Sequence, residues 1–84
     1  MKQHKEPQYS KQAQKYIDKQ DKVAKQRIKK AIEEIPKGNI VPYEENPPYL
    51  RLVVAGYRVI FKWISNEQIY ILKIKPRGDV YKGA

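Results

Sequence analysis

Arg51, Arg58, Lys62, Lys73 and Lys75 alternate with β-branched and aromatic residues late in the chain, and Arg77, Tyr81 and Lys82 follow them. Guanidinium groups stay protonated and grip phosphate oxygens two at a time, while ammonium groups add compact charge. Such a set binds anionic oxygen and stabilises charge on it. Other chemistries lack their residues. There is no cysteine among the 84 residues, which excludes thiol nucleophiles, zinc–thiolate sites and disulfides. His4 is the single histidine, so mechanisms needing two imidazoles and His-rich metal sites are excluded too. No cofactor is expected, because so small a domain encloses no deep pocket.

The charge balance points the same way. Eighteen Lys and Arg against nine Asp and Glu leave a net charge of +9, which favours a polyanionic partner. The excess is spread along the chain: residues 1–35 hold ten basic and five acidic groups, and residues 36–84 hold eight and four. A basic tail on a neutral body is not the pattern. At 40% apolar and 32% charged residues, the sequence suits one folded domain spanning 1–84. No apolar run approaches the length needed to span a bilayer, and the expected location is the cytoplasm.

Positioning these cations requires a scaffold, and its elements follow from apolar spacing. Ala13, Tyr16 and Ile17, then Val23, Ala24, Ile28, Ala31, Ile32 and Ile35, recur at helical steps of three and four. Ser10 and Asp21 suit N-caps, so the spacing predicts a helical hairpin over about 11–19 and 22–35, closed by Pro36 and Gly38. The proline-rich stretch 36–48 reads as a loop. Three antiparallel strands follow at about 49–54, 57–64 and 68–75, with turns at Ala55-Gly56 and Asn66-Glu67. Residues before Ser10 are mostly polar and include Pro7, so any strand there is a weak edge strand.

Two tight turns fix a register, and side chains alternate between the sheet's faces. In that register Leu52 faces Val59, Arg51 faces Ile60, Phe61 faces Leu72 and Arg58 faces Lys75. One face then carries Leu50, Leu52, Val54, Tyr57, Val59, Phe61, Trp63, Tyr70, Leu72 and Ile74, which the helices must cover. The other carries Arg51, Val53, Arg58, Ile60, Lys62, Ile71, Lys73 and Lys75, with no acidic residue. Like charges on neighbouring strands cost a few tenths of a kcal/mol per pair, so a sheet selected for stability alone would not hold this set. Arg77 and Tyr81, past the strand-ending Pro76, are expected at the rim of the cationic face.

These residues carry a resemblance. A basic helical hairpin, then Leu50-Arg51-Leu52-Val53-Val54-Ala55-Gly56-Tyr57-Arg58-Val59-Ile60-Phe61, then Ile71-Leu72-Lys73-Ile74-Lys75-Pro76-Arg77-Gly78-Asp79-Val80-Tyr81-Lys82, resembles the RelE/ParE toxin superfamily, in its RelE-like branch. The resemblance spans residues 9–82. It implies an α+β fold, with two helices on one face of a small curved antiparallel sheet and basic residues on the opposite face. It also implies a toxin of a type II toxin–antitoxin system, a cognate antitoxin as partner, and ribosome-dependent mRNA cleavage. By the same resemblance Arg51, Arg58, Arg77 and Tyr81 are the catalytic set, and Lys62, Lys73, Lys75 and Lys82 hold RNA. Two features depart from the pattern. Tyr49 stands where a second basic residue is common, and no histidine or glutamate falls at the acid–base positions of some branches.

Metal-independent RNA cleavage needs the 2′-oxygen aligned on phosphorus, the phosphoryl charge stabilised and the leaving 5′-oxygen protonated. Arg51 and Arg58 suit the second task, Arg77 or Lys75 the region of the leaving oxygen, and Tyr81 base stacking or proton transfer. The expected products are a 2′,3′-cyclic phosphate and a 5′-hydroxyl. Two other readings remain at this level: a ParE-like, non-catalytic inhibitor of DNA gyrase, and an RNA-binding module without cleavage.

Overall fold

The computed structural model describes residues 7–43, 47–54 and 56–76. In chain order its elements are β1 (Gln8–Tyr9), α1 (Lys11–Asp18), α2 (Lys22–Glu33), β2 (Asn39–Pro42), β3 (Leu50–Val54), β4 (Tyr57–Ser65) and β5 (Gln68–Pro76). The helices begin where short polar side chains satisfy their first free N–H groups. Ser10 accepts from the Ala13 amide at 3.0 Å, and Asp21 accepts from the Ala24 amide at 2.8 Å. No described helix is long and apolar enough to cross a membrane.

All five strands form one sheet in the order β1-β5-β4-β3-β2. The pairs β2–β3, β3–β4 and β4–β5 are antiparallel, whereas β1 runs parallel to β5. The sheet is therefore mixed, not wholly antiparallel as expected. Two short elements account for the difference. The N-terminal edge strand is only two residues long, and β2 lies inside the stretch expected to be a loop. Its Asn39-Ile40-Val41-Pro42 run is extended and pairs along β3, with Pro42 tolerated because it sits on an edge strand.

Ala13, Ile17, Ile28, Ile32 and Ile35 from the helical layer pack against Leu52, Val59, Phe61, Ile69, Ile71 and Ile74 of the sheet, all at most 2% exposed. Val23, expected on the apolar side of the second helix, is 64% exposed and takes no part. Burying a side chain of this size contributes about 1.5–3 kcal/mol, so this contact dominates the folding free energy. α1 is also fastened to β5 by polar groups. The Ser10 amide donates to the Ile71 carbonyl at 3.0 Å and its hydroxyl to the Leu72 carbonyl. The Gln12 side chain accepts from the Ile74 amide at 3.2 Å and donates to the Ile74 carbonyl at 3.4 Å, completing the edge of β5 as a neighbouring strand would.

The β4–β5 register is where expectation fails. Ser65 opposes Gln68 and Arg58 opposes Lys75, as the two-residue turn requires, but between them Phe61 opposes Ile71 rather than Leu72. The pairing shifts between Ile60 and Phe61 and again between Trp63 and Ser65. One strand gains a residue and the other regains it. Ile69, Ile71 and Ile74 thereby all enter the core, whereas Tyr70 and Leu72, expected there, are half-buried outside it. The physical preference is clear. Isoleucine has no polar atom to desolvate and suits strands, whereas a buried tyrosine hydroxyl must find a partner. Trp63 stays on the core side but 36% exposed.

Ile71→Ala is expected to lower unfolding stability by about 2–5 kcal/mol, and Leu72→Ala by less than about 1.5 kcal/mol. Equilibrium urea denaturation of the two variants measures the difference, and the unshifted register predicts the reverse order.

Candidate functional site

The register also disposes the cations. Opposed residues in an antiparallel pair share a face. Arg51, Ile60 and Lys73 form one row across β3, β4 and β5, and Val53, Arg58 and Lys75 form the next. Lys62 opposes Tyr70 further along. Their strand neighbours Leu52, Val59 and Ile74 lie in the core, so these rows face away from the helices. Arg51 and Arg58 are diagonal neighbours, a relation that brings Cβ atoms to about 7–8 Å. That separation suits two guanidinium groups converging on one phosphate. Ile71, expected on this face, lies in the core instead, because the shift at Leu72 turns it inward.

All five cations are half-buried. Ile60 is fully buried between the stems of Arg51 and Lys73 in its row. The Arg58 guanidinium donates to the Tyr57 carbonyl at 3.1 Å, which tethers its head to its own strand and leaves further N–H donors. The Arg51 Nε is buried and finds no hydrogen-bond partner among the described residues. A desolvated guanidinium N–H without an acceptor costs about 1–3 kcal/mol. The described carboxylates Asp18, Asp21, Glu33, Glu34 and Glu67 lie on the helices, at their ends or in the β4–β5 turn, away from this face.

Two aromatic residues outside the expected site set, Tyr43 and Tyr49, border the cations. Tyr43 is 8% exposed, and its amide donates to the Tyr49 carbonyl at 3.0 Å, carrying the β2–β3 pairing past Pro42 and Leu50. Lys62 Nζ sits 5.2 Å from the centroid of the Tyr49 ring, and Lys75 Nζ sits 5.7 Å from that of Tyr43. Tyr49 could have been found by extending the Leu50–Phe61 register one step, which sets it opposite Lys62. Tyr43 could not, because it follows a strand set among prolines and a glycine that signal a loop. Of the expected site residues, Arg51, Arg58, Lys62, Lys73 and Lys75 share this face. Arg77, Tyr81 and Lys82 lie outside the described residues.

No protein-family model matches the chain, and no curated protein matches it. Among solved structures, it is similar to the crystal structure of the archaeal RelE–RelB complex from Pyrococcus horikoshii OT3. The match has a TM-score of 0.67 and 26% sequence identity, and covers 93% of this chain and 98% of that one.

Arg51→Met is expected to raise unfolding stability by about 1 kcal/mol, since it keeps the apolar stem and removes the unpartnered polar atom. The same variant should weaken binding of anionic ligands. Thermal denaturation checks the first outcome and fluorescence anisotropy with a labelled ribo-oligonucleotide the second.

Proposed function

We propose, starting from the RelE-like toxin fold of this chain, that it is the toxin of a type II toxin–antitoxin pair and cleaves mRNA at the cationic face of its sheet. One observation carries the reading: Arg51 and Arg58 lie diagonally on one face, with Lys62, Lys73 and Lys75 around them and the core behind. A phosphate seated there meets two groups that donate paired hydrogen bonds and hold their charge at any physiological pH.

Arg58 and Arg51 grip the scissile phosphate and stabilise the charge that grows on its non-bridging oxygens as the 2′-oxygen attacks. That bond forms as the bond to the 5′-oxygen breaks, leaving a 2′,3′-cyclic phosphate and a 5′-hydroxyl. The 2′-hydroxyl proton passes to water and the leaving 5′-oxygen takes one from water near Lys75 or Arg77, with Tyr81 stacking on a base or assisting the transfer. Lys62, Lys73 and Lys82 hold the flanking strand. With neither imidazole nor carboxylate on the face among the described residues, proton transfer is the slow part of the chemistry. The ribosome supplies what is missing by presenting the mRNA in a productive geometry. The antitoxin is an acceptor for the same charge, through a segment that folds onto the chain and blocks the face.

Arg58→Ala is expected to lower ribosome-dependent cleavage roughly 100-fold or more, the scale of losing one preorganised donor at a developing oxyanion. Primer extension on a translated mRNA reads this directly. Wild-type cleavage of free single-stranded RNA should be slow by comparison. Intact mRNA beside gyrase-linked DNA damage would replace this reading with a gyrase inhibitor, and intact mRNA with salt-sensitive RNA binding would replace it with a non-cleaving module.

A further inference from the structure

Arg58 and Lys75 oppose each other directly on β4 and β5, and no described carboxylate stands near them to hold the lysine in place. A carboxylate would fix an ammonium group but would also cancel the charge that an RNA phosphate must find. An aromatic ring attracts a cation through its quadrupole and carries no net charge, so it orients a lysine without neutralising it. Two of the three flanking lysines have such a ring: Tyr43 for Lys75, and Tyr49 for Lys62.

The two tyrosines are joined through the backbone. Tyr49 is the last residue before β3 and stands one step beyond the Leu50–Phe61 pair, opposite Lys62. Tyr43 follows Pro42, and its amide is bonded to the Tyr49 carbonyl at 3.0 Å. The two tyrosines close the β2–β3 connection at its base. Tyr43 is rooted on β2's side of the sheet and Lys75 on β5, so the two side chains reach toward each other to meet. At 8% exposure, with its amide held, the ring has little freedom to leave.

We infer that Tyr43 and Tyr49 are positioning residues that hold the Lys75 and Lys62 ammonium groups, still fully charged, over the phosphate-binding face. The inference rests on reading that face as the RNA site, and it adds two residues that touch no reacting atom. It assigns the two contacts separately: Tyr43 acts through Lys75, and Tyr49 acts through Lys62.

The test combines a spectroscopic signature with double-mutant cycles. In wild-type protein, ring currents should move the ε-methylene protons of Lys62 and Lys75 upfield of the other lysines. Tyr49→Leu should return Lys62 alone to the common position, Tyr43→Leu should do so for Lys75 alone, and the Phe variants should retain both shifts. Binding is read with a short single-stranded DNA oligonucleotide, which lacks the 2′-hydroxyl and cannot be cleaved. Each Leu variant should weaken its binding about 2- to 5-fold, with the Phe variant restoring it. The loss should vanish in the matching Lys→Met background and persist in the other one. Wild-type lysine signals at the common position, or Leu effects that are equal in both backgrounds, overturn the inference. If Tyr43→Leu fails to fold, the wild-type shifts and the Tyr49–Lys62 arm decide it. Failure of mRNA cleavage alone would remove the enzymatic reading and leave the lysine shifts and oligonucleotide cycles standing, so the two failures are distinguishable.

Discussion

Isoleucine packing on one side of a five-stranded sheet holds together a set of like charges on the other. Arg58 against Lys75, and Arg51 and Lys73 on either side of Ile60, are arrangements that a sheet adopts only under compensation. The compensation comes through the backbone. Each strand that presents a cation outward presents Leu52, Val59 or Ile74 inward, and each such burial outweighs several repulsive pairs. The core and the cationic face thus use alternate residues of the same strands. A one-residue slip that exposed the core would also bury the cations, so the face is as well defined as the core behind it.

The fastening of α1 to β5 matters for the same reason. β5 carries Lys73 and Lys75 and is covered by a strand of only two residues on its outer side. Ser10 caps the helix and bonds to the Leu72 carbonyl, while Gln12 satisfies both the amide and the carbonyl of Ile74. Side chains of the first helical turn thus finish an edge that β1 leaves open, and they fix the strand segment from which the two lysines project. The resemblance to the archaeal RelE–RelB structure and this reading of the face are separate supports, one from backbone shape and one from side-chain placement.

Much of this was legible in the sequence, because strong local signals coincided with the global fold. Helix spacing with Ser10 and Asp21 at the caps gave both helices to within two residues, and the Ala55-Gly56 turn fixed the β3–β4 register that pairs Arg51 with Ile60. Three features escaped, each for a physical reason. β2 was hidden because Pro36, Gly38 and Pro42 signal turns more strongly than Ile40 and Val41 signal a strand. The shift at Leu72 was hidden because alternation assumes an unbroken ladder, whereas three isoleucines at 69, 71 and 74 reach one core only through an extra residue. The Tyr43–Lys75 contact was hidden because cation–ring geometry depends on how far side chains reach across a curved face, which periodicity does not encode.

The central claim is that the cationic face is held against its own repulsion by the core opposite. Melting temperatures of wild type and Arg58→Met across sodium chloride from about 0.01 M to about 1 M test it most directly, because screening acts on exposed charges and leaves the core untouched. The account predicts that Arg58→Met melts above wild type at low salt and that the gap closes as salt rises. A variant that melts below wild type at low salt, or a gap indifferent to salt, would contradict it.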